Sequence, residues 1–191
     1  LGKWAIGEGL IYSVDNIKIN DNKKELEDFI INNRAKLTIG VDLGTIHPSA
    51  FILVAKVKNT YYVMEEYYKQ KVAPSELAKD LVKFYNDCID KYGYYNIDIK
   101  YDHAAAWFAT EFCLINKTIT LQKAKKDVLK GIMNIEHKIN NGNLVISNNC
   151  KNLINELNGY SWDEKNDNSP IKLNDDACDA LRYAIFSNDY D

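Results

Sequence analysis

The sequence predicts an α/β domain with a mixed central β-sheet that is flanked by helices on both faces. Three apolar or aromatic segments follow one another between residues 37 and 69 with only short breaks, as in an antiparallel meander. The rest of the chain alternates helical and strand-like segments, which is the pattern of helix-linked, parallel strands. The length of 191 residues suits one domain with a sizeable core.

Composition and charge narrow the function classes. The chain is 46% apolar and 27% charged with three prolines, so disordered and fibrous classes are excluded. No apolar run approaches the roughly 20 residues that span a bilayer, and no signal-peptide pattern opens the chain, so we expect no membrane partner. The net charge of −3 is unlike an extended nucleic-acid-binding surface, so any phosphate-binding surface must be local.

The cysteines and the first residues indicate cell compartment and context. The four cysteines lie far apart, without a CxxC pair or a histidine at zinc-ligand spacing, and are Cys88, Cys113, Cys150 and Cys178. We expect small buried thiols in a reducing cytoplasm. The start at Leu1, followed by Gly2 and Lys3, suggests that the sequence begins within a longer polypeptide.

The first half of the chain divides into a linker and the start of the domain. Residues 1–36 are expected to form a linker segment that packs on the domain, and residues 37–191 form the domain itself. Within the linker, residues 23–33 place apolar side chains among charges at helical spacing. The meander strands are predicted at 37–44, 49–57 and 61–69.

Helices and strands alternate in the second half. Pro74 opens a helix with an apolar inner stripe, and Gly93 ends it. Further strands are predicted at 96–102, 118–122 and 144–147, and further helices at 104–115, 125–140, 150–160 and 174–187.

Aspartates stand at three places where an α/β domain gathers its active site. Asp42 lies near the end of the first meander strand, and Asp102 ends the strand at 96–102. Asp175, Asp176 and Asp179 lie in the first turns of the closing helix. Strand ends and helix starts meet at sheet edges. Asp42 follows a strongly apolar strand, where an ionised carboxylate is costly unless it is paired or bound to a metal.

The spacing of these acids predicts a divalent-metal site. Asp176 and Asp179 are three residues apart and share one helix face, so that Asp42 and Asp102 can join them. Converging carboxylates repel one another, and oxygen-only ligands favour Mg²⁺ or Mn²⁺ over zinc. Two ions about 3.5–4 Å apart can activate a water and stabilise the leaving oxygen of a phosphodiester. The alternative is that these acids are turn or cap residues, and Asp175 above all suits a helix cap.

Four segments, in their order along the chain, resemble the nuclease domain of phage large terminases, which are members of the ribonuclease H-like superfamily. WAIGEGLIY (4–12) resembles the linker that follows their packaging ATPase, and GVDLGTIHPSAFILVA (40–55) their first strand pair. IKYDHAAAWFATEF (99–112) is similar to their second acidic strand and the helix after it. NELNGYSWDEKNDNSPIKLNDDACDALRYAI (155–185) resembles their closing segment, in which a Tyr-x-Trp hairpin leads into an Asn-Asp-His-x-x-Asp-Ala-Leu-Arg-Tyr helix.

The resemblance implies a ribonuclease H-like fold and a two-metal endonuclease that cuts double-stranded, concatemeric phage DNA during packaging, with little sequence preference. It places the catalytic acids on Asp42, Asp102 and Asp179, and Asp176 stands where the family has histidine. We hypothesise that Asp42 bridges two Mg²⁺ or Mn²⁺ ions, that Asp102 and Asp179 hold one each, and that Asp176 assists as a fourth metal ligand. The implied partners are DNA, an N-terminal packaging ATPase domain of the parent chain, the portal and the small terminase subunit, in the host cytoplasm.

Several basic residues are candidates for contact with DNA or for support of the site. Lys123, Lys125 and Lys126 lie at a predicted strand-to-helix junction, where they would bind the DNA backbone without reading bases. A solvated lysine face is the alternative. His47 and His103 follow the acidic strands and are candidates for a metal or phosphate contact, or are ordinary loop residues. Arg182 and Tyr183 match the closing motif of the family, and a structural role suits them as well.

Other functions share parts of this pattern. IGVDLGT (39–45) is close to the phosphate-binding opening of actin-like and sugar-kinase ATPases, but no second glycine-rich phosphate loop follows it. A Holliday-junction resolvase or a transposase core would use a similar acidic site, and a non-catalytic DNA-clamping domain would use the acids as caps. The chain contains no Walker A pattern, so it should not hydrolyse ATP on its own.

Overall fold

The computed structural model describes residues 9–163 and 169–190. Within these ranges seven strands form one sheet in the order β1-β7-β4-β3-β2-β5-β6. The strands are β1 (Lys18–Asn20), β2 (Lys36–Asp42), β3 (Pro48–Val57), β4 (Thr60–Gln70), β5 (Asp98–Tyr101), β6 (Leu121–Lys123) and β7 (Leu144–Ser147). The helices are α1 (Lys23–Asn32), α2 (Pro74–Tyr92), α3 (Ala106–Ile115), α4 (Val128–Asn140), α5 (Lys151–Gly159) and α6 (Asp176–Tyr190), and a 3-10 turn spans Val14–Asn16.

The sheet is mixed, as predicted. β2, β3 and β4 form the antiparallel meander at its centre. The outer strands join in parallel, β5 on β2, β6 on β5, β7 on β4 and β1 on β7. The run from Ala50 to Ala55 in β3 is buried throughout, because both faces of the central strand are covered.

Helices cover both faces of the sheet and enclose two apolar clusters. On one face α4, α5 and α6 contribute residues such as Ile132, Leu153 and Leu181. On the other face α1, α2 and α3 contribute residues such as Leu26 and Phe108. The predicted α/β architecture with helices on both faces is therefore confirmed.

Helix α6 lies unusually close to the central sheet, at Gly40 of β2. A Cβ atom at Gly40 would lie 1.9 Å from the carbonyl oxygen of Ala180 and 3.0 Å from the Cβ of Ala184, so only glycine fits. Residues two apart on a strand share a face, so Asp42 points to the same side as Gly40. This close approach brings the end of β2 to the first turns of α6.

Three predicted boundaries are wrong. The closing helix, predicted to end at residue 187, ends at Tyr190. The other two differ for local reasons. The strand predicted at 118–122 is β6 at Leu121–Lys123, because the Asn116 side chain accepts hydrogen bonds from the backbone N–H and the hydroxyl of Thr118 and holds a turn there. The helix predicted from residue 125 begins at Val128, because the Asp127 side chain caps it by accepting from the backbone N–H of Lys130 at 2.9 Å. Residues 125 and 126 consequently lie in a loop.

The described residues of the segment that was predicted to be a linker pack on the rest of the chain. Residues 1–8, which include the start of the 4–12 resemblance, lie outside the described residues, as do residues 164–168 of the closing resemblance. The backbone N–H of Ile11 donates to the carbonyl oxygen of Tyr160 at 2.8 Å, and the Tyr12 ring stacks on the Tyr160 ring at 5.7 Å. β1 then adds an edge strand that was not predicted from the sequence.

Two further expectations concern the membrane and the cysteines. Among the described residues, none of the helices combines the length and apolar character that crossing a bilayer requires. All four cysteines are free thiols; Cys88, Cys150 and Cys178 are buried as predicted, whereas Cys113 is exposed on α3.

Candidate active site

Two of the predicted acids lie side by side at one edge of the sheet. β2 and β5 are parallel neighbours, and Val41 pairs with Tyr101. Asp42 and Asp102 directly follow this pair, and the backbone N–H of Asp102 donates to the carbonyl oxygen of Val41 at 3.3 Å. The parallel register therefore places these two carboxylates together.

The remaining acids come from the first turns of α6. Asp176 and Asp179 are only 6% and 7% exposed. Burial raises the pKa of Asp42 well above its usual range, and the charges of Asp179, Asp176, Asp102 and Asp175 raise it further, in that order. The structure thus brings the three other predicted acids, and Asp175, close enough to Asp42 to influence its charge.

Asp176 and Asp102 respond to this crowding in opposite directions. Burial and the charge of Asp175 raise the pKa of Asp176 to about 6, while His47 opposes the shift. Burial also disfavours ionisation of Asp102, but its hydrogen bonds outweigh burial and leave its pKa lowered. Those bonds come from Lys126 Nζ at 2.5 Å and from the backbone N–H of Ala104 at 2.8 Å.

Basic side chains partly neutralise the acids. Arg182 Nη2 donates to Asp179 Oδ1 at 2.8 Å. Lys172 Nζ lies 3.2 Å from Asp179 Oδ2 and 3.0 Å from Asp175 Oδ2. Lys172 was not predicted as a site residue, and nothing in its sequence neighbourhood marks it, since its role depends on how residues 169–175 lie against α6.

The donor set fits hard divalent cations, although it is not closed around an ion. Within residues 9–163 and 169–190, no three His, Cys, Asp or Glu side chains are grouped closely enough to hold a metal ion between them. The donors are all carboxylate oxygens, which Mg²⁺ and Mn²⁺ prefer. The site contains more acidic side chains than basic side chains paired with them. The acids are Asp42, Asp102, Asp175, Asp176 and Asp179. The paired basic residues are Lys126, Lys172 and Arg182.

Glu156 is a buried carboxylate that was not predicted from the sequence. Its Oε2 accepts from the backbone N–H groups of Ala177 at 2.7 Å and Cys178 at 3.0 Å, and its Oε1 accepts from the Tyr68 hydroxyl at 2.8 Å. Burial raises its pKa to about 7. Glu156 therefore caps the start of α6 and fixes the helix that carries Asp176 and Asp179. A carboxylate between Leu153 and Leu157, on the buried face of α5, is the sequence signal that would have revealed it.

Of the predicted basic residues, Lys123 and Lys126 lie at the same edge as the acids. Lys123 ends β6 and is exposed, and its register partner is Tyr101, next to Asp102. Lys126 binds Asp102, and the backbone N–H of Lys125 donates to Ser187 Oγ at 3.0 Å. Both His47 and His103 are exposed, and their charge lowers the pKa of Asp176 and Asp102 respectively.

Comparison with known proteins gives a consistent set of relatives. The family described as the terminase RNaseH-like domain matches residues 39–188. The terminase large subunit of Escherichia phage T5 is 29% identical over 199 residues, covering 96% of this chain and 43% of that protein. The large terminase of a thermophilic bacteriophage, solved in complex with ADP, is 28% identical, with a TM-score of 0.77 over 100% of this chain and 47% of that chain. The g2p large terminase nuclease domain of bacteriophage SPP1 with bound Mn is 20% identical, with a TM-score of 0.69 over 93% of this chain and 99% of that chain. The chain therefore spans less than half of the phage T5 protein and of the ADP-bound large terminase.

Proposed function

Because this chain belongs to the family of terminase RNaseH-like domains, we propose that it is a metal-dependent endonuclease. It cleaves double-stranded, concatemeric phage DNA during genome packaging, with little sequence preference. The observation that carries the proposal is the gathering of four further aspartates around Asp42 at the end of a central strand, where burial alone already disfavours its charge.

Each acid has a distinct place in the proposed site. Asp42, whose charge is influenced by all the other acids, would hold both of two Mg²⁺ or Mn²⁺ ions, while Asp102 would hold one, Asp179 the other, and Asp176 would assist. These carboxylates would hold the ions, which when bound would supply activation of the attacking water and neutralisation of charge on the leaving oxygen. The SPP1 nuclease domain with bound Mn supports this class of ion.

The chain's own side chains prepare the site and position the DNA. Lys126 forms an ion pair with Asp102, and Lys172 forms ion pairs with Asp175 and Asp179. The two lysine side chains are 35% and 61% exposed, so a divalent cation can displace them. Lys123 and Lys125, and Lys126 once released, bind the phosphate backbone next to the site.

The rest of the activity belongs to the parent chain. The large terminase that was solved with ADP is about twice as long as this chain, which supports a nucleotide-binding packaging motor elsewhere in the parent protein. We propose that this ATPase domain, the portal and the small terminase subunit are the partners, and that the protein acts in the host cytoplasm.

Cleavage of supercoiled plasmid tests the proposal. The domain is incubated with plasmid in Mn²⁺, in Mg²⁺ and in EDTA, next to Asp42→Asn and a matched control, Asp98→Asn. Asp98 begins the same strand that Asp102 follows, but it lies at the opposite edge of the sheet, with Lys36 Nζ at 3.6 Å and Gln122 Nε2 at 3.3 Å. We expect nicking and linearisation that require metal, vanish in Asp42→Asn and persist in Asp98→Asn.

Two outcomes would contradict the proposal in different ways. Wild-type cleavage by a folded Asp42→Asn variant would remove the acidic site from the reaction. No cleavage in either metal by a folded domain would favour a DNA-clamping module or a nuclease that needs its ATPase domain, and the full-length parent chain would then distinguish the two.

A further inference from the structure

Arg182 is a buried cation that uses only part of its hydrogen-bonding capacity. It is 2% exposed, and its Nη2 donates to Asp179 Oδ1 at 2.8 Å. Its guanidinium carbon lies 4.8 Å from the centre of the Tyr183 ring. Nε and Nη1 are buried, with no hydrogen-bond partner in the described residues. Burying a charge in this way is costly, so packing must hold the side chain in place.

The packing comes from Gly131 in α4. A Cβ atom at Gly131 would lie 2.6 Å from Cδ and 2.7 Å from Cγ of Arg182. These two atoms are in the middle of a buried side chain, so they cannot swing away as the end of an exposed lysine would. Glycine in a helix interior is less favourable than alanine, so its presence between Lys130 and Ile132 needs a reason. The space for the Arg182 stem is that reason.

The two oxygens of Asp179 have different partners. Oδ1 is bound by buried Arg182, whereas Oδ2 is bound by Lys172, whose side chain is 61% exposed. Lys172 can exchange with another cation at little cost, whereas Arg182 is 2% exposed and is held by the surrounding packing. One oxygen is therefore held permanently and the other is open to exchange.

We propose that Gly131 and Arg182 together position Asp179 for a divalent cation. The space at Gly131 accommodates the Arg182 stem, the guanidinium fixes Oδ1, and Oδ2 is presented to the ion once Lys172 leaves. Arg182 is thus a positioning residue, not a catalytic one. This inference rests on the proposed function, in which Asp179 is a metal ligand. Outer contacts of this kind commonly change metal affinity or activity by about 10–100-fold.

Mn²⁺ binding to Gly131→Ala is the direct test. Titration calorimetry, with electron paramagnetic resonance of free Mn²⁺ as a second readout, should show affinity about 10-fold weaker than wild type. Gly159→Ala is the matched control, since Gly159 also lies in a helix and nothing lies within 4 Å of where its Cβ would be. Its affinity should equal that of wild type. In a cleavage assay, Gly131→Ala should need a higher Mn²⁺ concentration for half-maximal cleavage than wild type or Gly159→Ala. At saturating Mn²⁺, its cleavage rate should be near that of wild type.

A double variant tests whether Gly131 acts through Arg182. Arg182→Ala removes Cγ and Cδ, so an added Cβ at position 131 has nothing left to displace. Arg182→Ala/Gly131→Ala should therefore bind Mn²⁺ as weakly as Arg182→Ala and no more weakly. Wild-type Mn²⁺ affinity in Gly131→Ala, even with a changed melting temperature, would overturn the inference. So would an equal loss from Gly131→Ala with and without Arg182.

Asp179→Asn separates this inference from its premise. If wild type binds Mn²⁺ and Asp179→Asn does not, the proposed site is retained, and the Gly131→Ala result alone decides the positioning role. If wild type binds Mn²⁺ no better than Asp179→Asn, the premise fails and the positioning role fails with it.

Discussion

Asp176 is a site residue whose ionisation destabilises the metal-free fold. Burial and Asp175 raise its pKa to about 6. A carboxyl group whose pKa is raised on folding contributes its full stability below its usual pKa of about 3.8, and loses it as pH rises through the folded value. The metal-free domain should therefore lose part of its stability between about pH 4 and pH 6.

We predict that Asp176→Asn stabilises the metal-free domain at pH 7.5 and leaves it unchanged near pH 4, because asparagine removes a charge that only the higher pH creates. The gain should be about 1–3 kcal/mol, because each unit by which folding raises the pKa corresponds to about 1.4 kcal/mol. Thermal unfolding in EDTA at both pH values measures it. Added Mn²⁺ at pH 7.5 should raise the melting temperature of wild type more than that of the variant. Equal effects at both pH values would contradict the assignment of the cost to ionised Asp176.

Individual site residues differ in how far the sequence predicts them. Asp42 and Asp102 could be predicted because each follows a recognisable strand, and Asp179 because it lies on a helix with a specific motif. Glu156 could not, because its partners Ala177 and Cys178 are more than 20 residues away and meet it only when α5 docks on α6. Lys126 was predicted as a DNA contact, and a run of lysines does not show which of them reaches an acid.

The position of helix α6 depends on contacts at both of its ends. At its start, Glu156 accepts from two backbone N–H groups that have no partner within the helix.

We predict that Glu156→Ala destabilises the domain by about 2–3 kcal/mol, because it leaves two buried donors unsatisfied. Urea denaturation measures the loss. Tyr68→Phe is the control, because it removes one hydrogen bond to Glu156 and leaves the cap, and it should cost about 1 kcal/mol. Equal losses in the two variants would show that the cap contributes nothing of its own.

At its other end, α6 is anchored through Asp189. This carboxylate accepts from the Tyr61 hydroxyl at 2.5 Å, Lys138 at 2.6 Å, Lys56 at 3.0 Å and Asn134 at 3.1 Å. Although burial opposes its ionisation, the hydrogen bonds from Lys138, Tyr61 and Lys56 hold its pKa below the usual range. The stability that it contributes is present above the usual pKa of about 3.8 and is lost as pH falls towards the folded value.

We predict that Asp189→Asn costs about 1–3 kcal/mol at pH 7, because two lysines lose their counter-charge. The cost should shrink in acid, because the unfolded chain takes up a proton at Asp189 near the usual pKa of about 3.8, whereas the folded domain keeps this carboxylate ionised to lower pH. Urea denaturation at pH 7 and at about pH 2.5 measures both values. A cost that is the same at both pH values would show that packing, not charge, accounts for the role of Asp189.

The elements that the sequence predicts are those with enough residues to show a period. β3, β4 and α2 were placed to within a residue or two, because an apolar run, an aromatic run and helical spacing extend over 10, 11 and 19 residues respectively. β1 and β6 have three residues each, too few for any period, and they exist because β7 and β5 offer a free edge. Their positions depend on the assembled sheet and are not encoded locally.

Acidic and basic side chains are unevenly distributed over the molecule, which the net charge of −3 does not reveal. The acids gather around Asp42, Lys123 ends the neighbouring strand β6 at the same edge of the sheet, and Lys125 follows two residues later. For the proposed DNA binding, the attraction must come from a local surface, because the domain as a whole is negatively charged. Binding of this kind is sensitive to salt, because each phosphate contact releases counterions.

We predict that Lys123→Ala/Lys125→Ala lowers the salt dependence of duplex DNA binding. Each lost phosphate contact reduces the slope of log affinity against log salt by about 0.9, so the double variant should lose a slope of about 2. Fluorescence anisotropy in EDTA, which prevents metal-dependent cleavage, measures the slope. The matched control is Lys79→Ala/Lys83→Ala on α2, on the opposite face of the sheet; it changes net charge equally, and these lysines pair with Glu76 and Asp87. If only Lys123→Ala/Lys125→Ala reduces the slope, the DNA lies along the sheet edge that carries the acids, and the location of the lysines governs binding. If both pairs reduce the slope equally, net charge alone governs binding, and the assignment of Lys123 and Lys125 to the DNA surface is wrong.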